Sequence, residues 1–333
     1  MNGNEQKNNF KVHADKVPEH LNGVRLDHAA CELYTRYSRT ILKKWIDNEA
    51  LLLNGVAAKP SAKVRSGDKI ELRVAIAIGH DAALIPQKVN FEVIEANSDF
   101  IVVNKPSGLV VHPGAGNPDR TLLNGVVNDF PELQSLPRGG LIHRIDKNTS
   151  GLLLIARTLE SYSFLSKILQ ERTIKRIYMA IVNGVMVSGG NVEANIRRDN
   201  VIRTRMKVSS SGRYAKTNYS ILKKYRAHTL LEVQLETGRT HQIRVHLAHV
   251  GHPLVGDSTY GARPRMPKNP TTTLRETITS FQRQALHAMK LEFTFPDKGR
   301  KWSFTSPTPI DLNALIDALD DDVTESMLTT KRK

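Results

Sequence analysis

Residues 140–157 read GLIHRIDKNTSGLLLIAR. A single carboxylate, Asp146, sits in a polar knot between Arg144 and Lys147, with His143 beside them, and the chain then runs into the apolar stretch LLLIA. Nearby positive charge favours a carboxylate's anion and predicts a lowered pKa. A general acid needs the opposite shift, so Asp146 suits a nucleophile or a base. Thr149, Ser150 and Gly151 are residues that turn a chain and supply local hydrogen bonds. The apolar run behind them predicts a rigid strand and a low-dielectric wall. Taken alone, a loop aspartate more often caps a turn than does chemistry, and other stretches must decide.

The second such stretch is LETGRTHQIRVHLAHVGHPLVGD, residues 235–257. Thr240 is placed to cap a helix that ends at Gly251, with Pro253 beyond it. Ile243, Leu247 and Val250 make its apolar stripe, and Arg244 lies beside that stripe, where a half-buried guanidinium would need an anion. Asp146 is the expected partner. His241, His246, His249 and His252 invite a metal reading, but no cysteine joins them. At ~100° per residue, His241 and His246 lie about 500° apart, off a common face. No metal is expected, and the imidazoles are read as solvated or facing a nucleic acid. The segment VHPGAG (111–116) is glycine-rich but lacks the spacing of a nucleotide-binding loop.

These residues need elements to hold them. The chain has 333 residues, 40% of them hydrophobic, enough for about two domains. Residues 1–20 are polar and read as a flexible arm. Over VRLDHAACELYTRY, Leu26, Ala29, Ala30 and Leu33 share one helical stripe. Ser38 is placed to cap a second helix, RTILKKWIDNEA, with Ile41, Leu42, Trp45 and Ile46 inward. LLLNGVAAK predicts a strand with an Asn54-Gly55 turn, and KVRSGDKIELRV a short strand pair around Ser66-Gly67-Asp68. This unit, residues 21–78, is followed by a linker over 79–90. A larger domain then spans 91–318, rich in strands: FEVIEANSDFIVVNK, LLLIAR, KRIYMAIV, TNYSILKKY, HTLLEVQLET, LHAMKLEFTFP and KWSFTSP. LESYSFLSKILQER and IDLNALIDALDDD are its expected helices, and 319–333 a charged tail. Strands outnumber helices without strict βαβ alternation, so the fold class is α+β, with a mixed, mostly antiparallel sheet.

Forty-eight Lys plus Arg against 33 Asp plus Glu give a net charge of +15, which points to a polyanionic partner. The outward cations of the small unit include Arg25, Arg36, Arg39, Lys43, Lys44, Lys59, Lys63 and Arg65. One cysteine, Cys31, excludes a disulfide framework within the chain and reads as a core filler. No signal peptide or membrane span is evident, and a cytoplasmic protein is expected.

HRIDKNTSGL resembles the HRLDxxTSGL signature of the large-subunit RNA pseudouridine synthases. NKPSGLVVHPGAGN (104–117), KRIYMA (175–180), LETGRTHQIRVH (235–246) and RQALHA (283–288) are similar to further stretches of that family, in the same order. The departures are Ile145 for the usual Leu, and Asn148 where several relatives carry an acid. The order of elements over residues 24–75, with RLD, YSR, LNG and GD, resembles the RNA-binding module named after ribosomal protein S-four.

The family resemblance implies isomerisation of uridine to pseudouridine within RNA, with an essential Asp146, an ion pair to it from Arg244, and Tyr178 stacked on the target base near C5. It also implies that Arg144 fills the place the flipped base leaves. Asp146 would attack C1′, add to C6 of the ring, or take a sugar proton; all three routes want it ionised. The remaining motif residues His143, Thr149, Asn104, Lys105, Arg239, His241 and Gln242 are expected to bind substrate. No cofactor is implied, and the expected partner is large-subunit rRNA or the pre-50S subunit, met by a monomer. Two other functions compete. A non-catalytic RNA-binding assembly factor would have no use for the Asp146, Tyr178 and Arg244 set. A base-releasing glycosidase would want two carboxylates flanking the bond, and only Glu236 or Asp257 is at hand.

Overall fold

The computed structural model describes residues 11–34, 39–74, 84–114, 116–261, 263–295 and 299–331. The N-terminal unit holds β1 (Lys11–Lys16), α1 (Leu26–Leu33), α2 (Arg39–Asp47), β2 (Leu51–Leu53) and β3 (Lys69–Val74). Its antiparallel sheet has the order β1-β3-β2. Leu26, Ala29 and Ala30 of α1 and Leu42 and Ile46 of α2 close a core over Leu51, Ile70 and Leu72, and Cys31 packs half-buried at its edge. Asn54 and Gly55 both take positive φ, 53° and 78°, the geometry expected of this turn pair.

Three expectations need correction here. The loose arm does not reach residue 20: residues 11–16 pair along the whole of β3, whose edge would otherwise stand open. Residues 63–68 form no second strand, only an isolated bridge from Arg25 to Lys63 and the turn into β3. Arg25 and Arg39 are not free cations: both hydrogen-bond the buried Asp27 at 2.9 Å. Burial opposes the charge of Asp27, but those two guanidiniums outweigh it and bring its pKa down to about 2. Arg36 and Ser38 lie outside the described residues, as do the side chains of Ile41 and Lys44.

The larger domain is built on β4 (Glu92–Ala96), β5 (Phe100–Lys105), α3 (Leu122–Asp129), β6 (Ser150–Ala156), α4 (Leu159–Gln170), β7 (Lys175–Asn183), β8 (Gly190–Glu193), the hairpin β9 (Ile196–Arg198) and β10 (Met206–Val208), β11 (Lys216–Lys224), β12 (His228–Leu235), α5 (Gln242–His249), α6 (Thr272–Ser280), β13 (Leu286–Phe295), β14 (Arg300–Thr305) and α7 (Ile310–Lys331). The main sheet runs β4-β5-β6-β13-β7-β12-β11-β8, with β14 on the far part of β13. Every pairing in it is antiparallel except β6 with β13. All seven residues of β6 are buried, which is why its sequence is a continuous apolar run rather than an alternating one. One sheet face packs on α3 around Ile101, Leu153, Ala180 and Leu231. The other packs on α4, with an aromatic cluster of Phe100, Phe293, Trp302 and Phe304.

The linker is shorter than expected. Residues 84–90 belong to the domain: Asn124 of α3 donates to the Ile85 carbonyl at 2.9 Å and accepts the Gln87 N–H at its own carbonyl at 3.1 Å. A Cβ on Gly125 would stand 2.7 Å from the Val89 side chain, so glycine lets the segment lie against the helix. That glycine, with two valines, also hid α3 from propensity. Thr121 and Asn124 start it with a reciprocal capping box. The charged tail is helical through Lys331, a continuation of α7. Among the described residues, no helix is long and apolar enough to cross a membrane.

Candidate active site

Asp146 stands in the loop before β6, and that loop is fastened from several sides. Thr149 N–H bonds the Asp146 carbonyl at 3.1 Å, and Gln284 donates to the Thr149 hydroxyl at 3.0 Å. Ser150 meets His287 at 3.0 Å. Gly151 has φ +112°, and a Cβ there would collide with the Ala288 carbonyl. The glycine therefore admits the close parallel pairing of Ser150 and Gly151 with His287 and Ala288. The TSG and QALHA stretches are thus two halves of one joint. Lys105 fastens the loop from below. Its wholly buried Nζ donates to the carbonyls of Pro106, Leu109 and Lys147, each at 2.8 Å. Burial pushes the Lys105 pKa down to about 7.

The cation that reaches Asp146 is Arg244, at 3.1 Å from Nη1 to Oδ2. Neither flanking cation, Arg144 nor Lys147, has this role. Arg244 is itself held by Asp257, through Nε to Oδ2 at 2.7 Å and Nη2 to Oδ1 at 2.8 Å. Tyr260 covers the guanidinium at 5.0 Å. Burial disfavours the charge, but Asp257 and Asp146 outweigh it and raise the Arg244 pKa. Asp257 takes further hydrogen bonds from the backbone N–H groups of Thr259 and Tyr260. It is therefore committed to Arg244 and does not flank the cavity as a second catalytic carboxylate. Glu236 is committed likewise, to Asn218 at 2.9 Å and Lys216 at 3.3 Å.

The other oxygen of Asp146, Oδ1, has His241 Nε2 at 3.9 Å. His241 also meets the Tyr260 hydroxyl at 2.8 Å, and burial lowers its pKa. It, not Thr240, is the residue at the start of α5, in a left-handed conformation with φ 55°. Gln242 organises the turn behind it: Oε1 accepts from the Thr237 hydroxyl and the Arg239 N–H, and Nε2 donates to the Lys216 carbonyl and the Thr217 hydroxyl. All its hydrogen-bonding capacity is thus spent inside the protein. His246 is not solvated as expected: it is fully buried, between Thr217 and the Ala194 carbonyl.

Three connected openings meet at Asp146 and Arg144. A small pocket of about 40 Å³ holds Asp146, Tyr178, Thr149, His241 and Arg244. A cavity of about 460 Å³ adjoins it on the Tyr178 side, and a groove of about 840 Å³ on the side of His112 and Lys147. Tyr178, on β7, is 4% exposed and shares the pocket with Asp146. Burial raises its pKa, so it stays a neutral phenol. Exposed Arg144 lines all three openings.

Two expected substrate contacts are corrected. Lys105 is sealed beneath the loop and cannot touch a ligand. Asn104 points along the sheet to Glu92, at 2.8 Å, away from the openings. His143 reaches only the cavity wall: its Nε2 accepts the Leu154 N–H, and burial, then Arg176, drives its pKa down to about 3. Arg176 and Gln284 join the site as well, each inside a motif stretch but without a role that residue type alone assigns. Strand alternation carries the signal for the first, because residues 176 and 178 share a face.

Residues 99–249 match the family model described as RNA pseudouridylate synthase. Ribosomal large subunit pseudouridine synthase D of Xylella fastidiosa is 44% identical over 306 residues, covering 92% of each chain. The enzyme of the same name from Escherichia coli K12 is 43% identical over 310 residues, covering 93% of this chain and 94% of that one. The chain belongs to the RNA pseudouridylate synthase family. Among solved structures, human RNA pseudouridylate synthase domain containing 4 superposes with TM-score 0.54 at 23% identity, over 69% of this chain and 93% of its own. That likeness bears on the fold alone.

Proposed function

We propose that this synthase isomerises uridines to pseudouridine in large-subunit ribosomal RNA, with Asp146 as the acting carboxylate. In this reaction the N1–C1′ bond breaks, the uracil turns, C5 bonds to C1′, and the C5 proton is lost while N1 regains one. Nothing is oxidised and no group is imported, so the chain's own residues suffice. The observation that carries the reading is the divided environment of Asp146: one oxygen tied to Arg244 at 3.1 Å, the other only loosely approached by His241 at 3.9 Å, in a pocket that Tyr178 also lines. Such a carboxylate is fixed in direction and still has an oxygen outside hydrogen-bond distance of His241 to react.

A uridine in a folded RNA must leave its stack to reach this pocket. Tyr178 then lies against the flipped base near C5, and Arg144, exposed at the rim, occupies the vacated place. His241, Arg239 and Thr149 line the pocket around the nucleotide. The N-terminal unit serves as an RNA-binding module through Lys43, Lys63 and Arg65, which are exposed, adding phosphate contacts rather than base readout. The substrate proposed is the helix 69 hairpin of large-subunit rRNA.

The test is a helix 69 transcript tritiated at uridine C5, incubated with the full chain and with Asp146→Ala. The wild type should release tritium to water and the variant should not. Release by both would overturn the role of Asp146. Release by neither, with RNA binding intact, would favour a non-catalytic assembly role.

A further inference from the structure

The cavity beside Tyr178 is walled by five arginines, Arg138, Arg144, Arg172, Arg176 and Arg239. Its two carboxylates are both engaged, Asp146 by Arg244 and Glu236 by Lys216 and Arg172. Arg176 stands apart. It is only 6% exposed, yet among the described residues no hydrogen bond or ion pair reaches its guanidinium, and its Nε is sealed from solvent without a partner. Nη1 lies over Gly238, where a Cβ would stand 2.8 Å away. Arg244 and Arg283, buried to a similar degree, each hold a carboxylate. A buried, unpaired guanidinium is costly to fold. Its planar fork of donors is made for a bidentate oxyanion.

We propose that Arg176, backed by Arg172 and Arg239, seats one backbone phosphate of the RNA next to the nucleotide in the Asp146–Tyr178 pocket. This rests on the reading above that RNA is the substrate. A nucleotide flips by swinging about its own backbone, so its flanking phosphates are the pivots. Fixing one of them sets how deeply the sugar enters and where C1′ lies relative to Asp146. Arg176 shares its sheet face with Tyr178, two residues on, so one rigid strand presents the phosphate seat and the base platform together. The contact carries no sequence information and helps equally at any uridine.

The experiment uses the full chain as wild type, Arg176→Met and Arg176→Lys, each also carrying Asp146→Ala so that binding is read without reaction. The ligand is the helix 69 hairpin, synthesised either with natural linkages or with one neutral methylphosphonate linkage placed in turn 5′ and 3′ of each loop uridine. Arg176→Met should weaken binding about tenfold and lower the salt slope by about 1. One methylphosphonate position should cost the Arg176 protein about tenfold and Arg176→Met less than twofold, and Arg176→Lys should recover part of the loss. Arg176→Met should also melt no lower than its parent, since an unpaired buried charge has gone.

Unchanged binding, or an equal methylphosphonate cost with and without Arg176, would overturn the seat. So would a lowered melting temperature with a binding loss that lysine fails to restore, which marks a structural role. No binding of the hairpin by the parent would overturn both this inference and the substrate reading. The coupling without tritium release by the wild type would leave the seat standing and remove the reaction. Tritium release without the coupling would do the reverse.

Discussion

Two buried arginines line adjoining openings that meet at Asp146 and Tyr178, and their surroundings differ completely. Arg244 sits between Asp257 and Asp146, under the Tyr260 ring, with its charge neutralised inside the fold. Arg176 has comparable burial and, among the described residues, no carboxylate paired with it. The first region is a finished network that fixes the direction of a carboxylate. The second is an unfinished one that an incoming anion completes. The difference shows which charges in a basic protein serve its own architecture and which are left for a partner. Arg25 and Arg39 repeat the first pattern at the surface of the N-terminal unit, where Asp27 holds both.

The comparison breaks most severely at Arg244. Arg244→Met strands two carboxylates, one wholly buried, and should cost about 3–5 kcal/mol of stability as well as abolishing tritium release. Chemical denaturation should show it far less stable than Arg176→Met, and equal stabilities would mean the two regions are not distinct. Next is Gly151→Ala. It must hold φ near +112° and push β6 from β13, at roughly 2–3 kcal/mol, with Asp146 displaced along with the loop. A melting temperature within a degree of wild type would refute that joint.

Acid should act through His143, which lines the same cavity as Arg176, and through His228. Their folded pKa values of about 3 and about 4 are below the unfolded 6.5. The unfolded chain therefore binds more protons below pH 6.5, so this stability is complete above 6.5 and lost as pH falls toward 4. The slope should approach about 1.4 kcal/mol per pH unit for each histidine, and His143→Asn should flatten it in denaturant titrations between pH 6 and 4. The smallest effect belongs to the N-terminal unit. Lys63→Ala should lower the salt slope of RNA binding by about 1 and leave the kcat of tritium release unchanged. A changed kcat with the same salt slope would place Lys63 in the catalytic region instead.

Much of this was legible because it is local. The TSG turn, the apolar run of β6, the Asn54-Gly55 turn and the pairing demand of Arg244 all follow from residue type and spacing. The misses are of another kind. Lys105 lies in a motif, so it read as a ligand contact, but only the fold shows its amine spent on three carbonyls, two from the turn that follows it and one from the Asp146 loop. The strand at residues 11–16 and the helix at 122–129 have weak local signals and are stabilised by what they pair with or pack against. Thr240 looked like a cap from its type alone, whereas the chain enters α5 through a left-handed His241 fastened to Tyr260.

The sequence by itself determined the groups on offer: one carboxylate among cations, a tyrosine, an arginine in need of an anion, and a strong excess of positive charge. Residue type fixes charge and protonation, and short spacing fixes turns and strand faces. The tertiary structure alone decided which charges are already answered. Asp257 reaches Arg244 from 13 residues away and Asp146 from 98, while among the described residues no hydrogen bond or ion pair reaches the Arg176 guanidinium. Pairing depends on distances of about 3 Å between segments far apart in the chain, and only the folded backbone sets those.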